Sequence, residues 1–158
     1  TEGAEHWFNE MKLAKLDPGE VGYTTLIDAF LKAGNITGAQ EHLRNMREAR
    51  VQMTKHSWGS LINGVAKQGM LEEAAGYFRE MVSSNVEPDI REYTALLLAC
   101  ARSRPKRPDA AEVVLTRMLQ ARIDPNPVSL NVLTNSVGGH VMRRALCREL
   151  GIDEEEVY

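Results

Sequence analysis

Apolar residues in this chain recur at spacings of three and four, the stripe of an amphipathic helix. Ala4, Trp7, Phe8 and Met11 form the first stripe, and Asp17-Pro18-Gly19 stops it. Val21, Tyr23, Leu26, Ile27, Phe30 and Leu31 form a second, which ends at Gly34, a residue suited to a left-handed C-cap. Ile36, Ala39, Leu43 and Met46 follow at once. A connection that short predicts two antiparallel neighbouring helices.

The same pattern then returns. Residues 20–54 and 55–89 are each 35 long and superimpose: Tyr23 on Trp58, Leu26 on Leu61, Lys32 on Lys67, Gly34 on Gly69, Ala39 on Ala74, Met46 on Met81. Ala4, Phe8 and Met11 continue the frame upstream. Tyr93, Leu96, Leu97, Ala111, Leu115 and Met118 continue it downstream, displaced by two residues from about Arg104 on. A fixed period of this size predicts stacked supersecondary units, an all-α solenoid of antiparallel helix pairs, and not one globular core. The expected division of this single helical-repeat domain is a half unit at 1–19, whole units at 20–54, 55–89 and 90–126, and a degenerate capping unit at 127–158. Val128, Leu130 and Leu133 open that last unit, Gly138-Gly139 interrupts it, and an acidic stretch at 153–156 ends it. Trp7, Phe8, Tyr23, Trp58 and Phe78, and the methionine column at 11, 46, 81 and 118, are the predicted core.

Composition narrows the chemistry. The net charge of −3 gives no global basic field, so any footprint for a polyanion has to be local. One local candidate exists. Lys32, Lys67 and Arg102 fall at the same place in three units, one cation per repeat along one edge of the array. Cations at helix ends also serve the helix dipole, so this ladder has a purely structural reading as well. The basic turn Arg104-Pro105-Lys106-Arg107-Pro108 reads as a solvated loop. Cys100 and Cys147 stand 47 residues apart without a CxxC partner, as reduced thiols do. His6, His42, His56 and His140 show no metal-ligand spacing, and no nucleophile triad, phosphate loop or carboxylate pair emerges. The expectation is a binding protein without metal or cofactor. No signal or transit peptide is visible, and the first residues already match the middle of a repeat, as in a piece of a longer array.

The run 20–35, with 71–74, 78–81 and Val86-Glu87-Pro88-Asp89, resembles the pentatricopeptide repeat. The 35-residue period separates it from the tetratricopeptide repeat at 34. The likeness runs from residue 1 to about 137. It implies a right-handed superhelix whose first helices line a concave groove, and a role in mitochondria or chloroplasts on single-stranded RNA, one base per repeat. Base choice in that family is set by a polar residue in the first turn of the first helix and by the last residue of the repeat. The implied pairs are Thr24 with Thr54, Gly59 with Asp89, and Thr94 with Asn126; the last matches a pair that favours adenine, and Gly59 offers no side chain. Asn131 opens a fourth pair without a partner. The resemblance assigns Lys32, Lys67 and Arg102 to the phosphate backbone and Val21 to a wedge between bases, where His56 and Arg91 depart from the apolar pattern. A second reading stays open: a structural subunit of a large organellar assembly, a ribosome or a bioenergetic membrane complex, that uses its repeats to hold protein. The short array, the acidic balance and the degenerate pairs speak for it.

Overall fold

The computed structural model describes residues 2–152, and among them every regular element is helical. The helices are α1 (Glu2–Leu13), α2 (Gly19–Lys32), α3 (Ile36–Glu48), α4 (Lys55–Lys67), α5 (Leu71–Ser83), α6 (Ile90–Arg102), α7 (Pro108–Gln120), α8 (Pro127–Val137) and α9 (His140–Glu149). α2 packs with α3, α4 with α5, α6 with α7 and α8 with α9, each pair closed by a short turn. The first helices also pack on one another, α2 on α4, α4 on α6 and α6 on α8, so they form one continuous layer. The acidic 153–156 stretch lies outside the described residues.

The core lies between that layer and the return helices. Leu26, Leu61, Leu97 and Leu133 from the first helices and Met46, Met81 and Met118 from the returns have essentially no exposure. Ala39, Ala74 and Ala111 are equally buried, because a small side chain there lets paired helices approach closely. Trp7 departs from its predicted place in the core: it is 70% exposed, and Leu13 and Leu16 beyond it are exposed too. The physical reason is that α1 packs against α2 through Phe8, which meets Tyr23 edge-on at 4.9 Å, while Trp7 lies a hundred degrees round the helix with no element above it. Met11, at the same end, is only half buried.

Local chemistry sets the helix boundaries. Asn35, Thr54, Asp89 and Asn126 are N-caps whose side chains accept a backbone N–H from the first turn of the following helix. Gly34 and Gly69 close α2 and α4 in the left-handed region, at φ 75° and 76°. The longer α6–α7 turn has no such glycine. Ser103 holds it instead, its hydroxyl within 2.9 Å of the Cys100 carbonyl and 3.0 Å of the Pro105 carbonyl, and Pro108 starts α7 at its first turn, where a missing N–H is harmless. Burial, helped by the Asp109 charge, pushes the Cys100 thiol up to about 11, so it behaves as a core side chain and not as a nucleophile.

Candidate functional site

The layer of first helices carries equivalent side chains in rows. Val21, His56, Arg91 and Val128 form a row at the start of α2, α4, α6 and α8, and all four are exposed. The valines stand 72% and 61% exposed although a β-branched apolar side chain gains nothing from water there. One turn further lie Thr24, Gly59, Thr94 and Asn131. At the far end come Lys32, Lys67 and Arg102.

Between the starts of α2 and α4 the surface opens into a depression of about 420 Å³. Val21 and His56 stand on its rim, Glu20, Thr24 and Thr54 line it, and Lys32 stands at its other end. A neighbouring hollow of about 280 Å³ takes in both Lys32 and Lys67. The first proposed pair is therefore brought together at this depression, with Lys32 beside Asp28 at its other end and Lys67 in the neighbouring hollow.

The three pairs differ in what holds them. Thr24 and Thr54 converge on the Glu20 carboxylate: Oε1 accepts from Thr54 Oγ1 at 2.9 Å, from Thr24 Oγ1 at 3.2 Å, and from the Ser57 hydroxyl. The Ser57 bond, aided by the two threonines, holds Glu20 below its ordinary pKa although partial burial works the other way. In the second pair Gly59 faces Glu92: a methyl group at 59 would lie 2.9 Å from Glu92 Oε1. Asp89 pairs with Lys55 at 3.0 Å and caps α6, accepting from the Arg91 N–H at 2.8 Å. In the third pair the Thr94 hydroxyl donates to the Ile90 carbonyl at 2.6 Å and Asn126 Oδ1 accepts the Ser129 N–H at 2.9 Å. All three last-position residues, Thr54, Asp89 and Asn126, thus do a structural job as N-caps.

The cationic ladder is also tied into the fold. Lys32 is 80% exposed and stands 3.5 Å from Asp28; Arg102 donates to the Lys67 carbonyl at 2.7 Å, holding the end of α6 against the end of α4. Lys106 repeats that arrangement one helix on, donating to the Asn135 carbonyl at 3.0 Å near the end of α8. Arg107 pairs with Asp109. The basic turn read from sequence as a solvated loop is exposed at Arg104, Pro105, Lys106 and Pro108, and through Lys106 it also ties to the end of α8.

Three residues take places on this surface that the sequence pattern did not assign to them. Val128 falls in the row of Val21 once the two-residue displacement is carried forward, a signal present in the chain. Lys106 sits in an inserted turn, and no repeat frame reaches it. Glu20 opens a unit and its approach to Thr54 needs the stacking of α2 on α4, which spacing alone does not give.

Three family profiles match, described as pentatricopeptide repeat domain over residues 77–140, PPR repeat family over 18–67 and PPR repeat over 56–86. The mitochondrial 15S rRNA processing factor CCM1 of Yarrowia lipolytica is 32% identical over 114 residues, 68% of this chain and 15% of that protein. The small ribosomal subunit protein mL103 of Arabidopsis thaliana is 24% identical over 119 residues, 75% of this chain and 28% of its own. Other Arabidopsis relatives are mitochondrial or chloroplastic pentatricopeptide repeat-containing proteins. The chain spans less than a third of the length of these relatives. Among solved structures, the pentatricopeptide repeat protein PPR10 of maize, crystallised with an 18-nt psaJ RNA element, superimposes with a TM-score of 0.78 at 21% identity, over 99% of this chain and 22% of that one. Helix order, stacked first helices, 35-residue period and profile matches agree: the chain is a right-handed helical solenoid and belongs to the pentatricopeptide repeat family.

Proposed function

We propose that this chain is a non-catalytic module that holds single-stranded organellar RNA along the layer formed by α2, α4, α6 and α8, in RNA processing, stability or translation. The observation that carries the reading is the slot between α2 and α4: Val21 and His56 on its rim suit the two faces of a base, Thr24 and Thr54 meet its edge, and Lys32 and Lys67 follow the backbone. The PPR10 complex and the rRNA processing relative support an RNA ligand. The mitochondrial and chloroplastic relatives support an organellar setting.

In this reading Lys32, Lys67 and Arg102 neutralise phosphates. Replacing all three by Glu is expected to weaken binding of an oligouridine RNA sharply in fluorescence anisotropy. The log–log salt slope, about 0.7 per phosphate contact on a single strand, should fall by about 2. Arg102 also fastens α6 to α4, so helicity is measured beside binding; a folded triple variant with unchanged affinity and slope rules out the ladder as a phosphate contact. Thr94 and Asn126 select adenine, so replacing a single adenosine by uridine in the probe weakens binding to the native chain and leaves an Asn126→Ala variant indifferent.

The ribosomal relative favours a second reading, a scaffold subunit that contacts protein. There the triple charge reversal changes little, and copurification from organelles yields a fixed set of proteins that survives nuclease treatment.

A further inference from the structure

The hydroxyl protons of Thr24, Thr54 and Ser57 all point into one cluster around Glu20. An ionised carboxylate can only accept, so Glu20 Oε1 takes the protons of Thr54 and Ser57. The Thr24 proton goes either to Glu20 Oε1 at 3.2 Å or to Ser57 Oγ at 2.9 Å, and in both cases stays inside the cluster. What remains for a visitor is lone pairs: the second oxygen of Glu20 and the outer faces of the two threonine oxygens. A pair of threonines alone would be ambivalent, able to donate or accept. With Glu20 behind them they form an acceptor-only surface.

We infer that Glu20 is the specificity-determining residue of this slot and makes it select guanine. Guanine alone presents two adjacent donors, N1–H and the 2-amino group, on the edge that enters. Adenine and cytosine each offer one amino group beside an acceptor nitrogen. Uracil offers one N–H between two carbonyl oxygens, which the carboxylate repels. The depression is about 420 Å³, room for one base, and Lys32 at its end is shared with Asp28, so the slot keeps an acidic balance. The second slot makes the comparison within the molecule. There the residue that opens the unit is Lys55, which occupies Asp89 at 3.0 Å, so the same position that confers acceptor character on the first pair cancels it in the second.

The inference rests on RNA being the ligand, and the experiment separates the two. Dodecamer oligouridine RNAs carry one central guanosine, inosine or adenosine, or none, and are titrated by anisotropy; the uniform body lets the odd base slide to the slot it prefers. The native chain is expected to bind the guanosine probe roughly 5- to 100-fold tighter than all-uridine, the discrimination of one bidentate contact. Inosine, which lacks the 2-amino group, loses most of that gain. Glu20→Gln, whose amide can donate, erases it, while the adenosine preference carried by Thr94 and Asn126 persists as a check that the variant is folded. Equal affinity of the native chain for guanosine and inosine probes overturns the inference without recourse to any variant, as does a guanosine preference that survives in the variant. Absence of binding to every probe overturns the RNA reading itself.

Discussion

Two carboxyl groups, Glu92 and Glu20, show how much a side chain's setting decides its sign. Glu92 is 3% exposed, over Gly59 and beside Asp89. Burial raises its pKa above the ordinary 4.5, and the Asp89 charge adds to that, while the bond it accepts from the Asp89 N–H at 2.8 Å works against it. The folded chain therefore holds a proton there that the unfolded chain has lost, so stability falls as pH rises from about 4.5 through the raised value. Glu92→Gln keeps the capping oxygen and turns repulsion from Asp89 into an amide N–H facing a carboxylate. Its melting temperature relative to the native chain should rise between pH 4.5 and 7.5 by about 2–4 °C, the shift of about 1 kcal/mol in a domain of this size. A difference that stays constant with pH refutes the assignment of the titration to Glu92. Glu20 has the opposite sign. Its pKa is lowered, first by the Ser57 hydroxyl, so its contribution is complete above about 4.5 and disappears as pH falls below that. Glu20→Gln should flatten the acid limb by lowering the melting temperature above about pH 4.5, the difference from the native chain vanishing at low pH.

At the scale of elements, the turns between paired helices carry unequal loads although the sequence writes them alike. Gly34 and Gly69 share the left-handed conformation, and around Gly34 there is open space. A methyl at Gly69 would lie 2.5 Å from the carbonyl oxygen of Arg102, a backbone atom at the end of α6 that cannot step aside. Gly34→Ala is thus expected to cost only the left-handed strain, about 1–2 kcal/mol. Gly69→Ala adds a displacement of α6 from α4 and should cost at least about 1 kcal/mol more, the lower range of overpacking; equal denaturation midpoints for the two variants would disprove the close approach. The repeat frame made the helices, their pairing, the small Ala39, Ala74 and Ala111 and the left-handed glycines legible before any coordinates. It did not reveal which glycine bears the next repeat, nor that Gly59 is small because Glu92 leans over it, since both depend on how neighbouring units meet. Trp7 misled for a related reason: a stripe tells which residues share a face, and burial needs a second element over that face.

Across the whole molecule the contacts run only between neighbours, which makes stability a sum of local interfaces and not the property of one core. α6 is held on four sides, by α4, α5, α7 and α8, and its inner residues Leu97, Ala99 and Cys100 have no exposure. α1 is held chiefly by α2, with Glu5 and Phe8 also reaching His42 of α3, and leaves Trp7 and Leu13 in water, while α9 rests chiefly on α8. Opening α6 must break four interfaces at once, whereas α1 detaches by breaking its seat on α2 and a small contact with α3. Hydrogen exchange should therefore be graded along the chain, slowest in α6 and α4 and fastest in α1 and α9, with opening free energies that approach the global value only in the centre. The gradient bears on function, because the slot between α2 and α4 lies nearer the weakly held end. An RNA that spans the slot and the cations beside it bridges α2 to α4 and should slow exchange there more than in α6, which is already near its limit. Uniform protection along the free chain would contradict the neighbour-only architecture, and slowing confined to α7 and α9 would put the ligand on the other face of the solenoid.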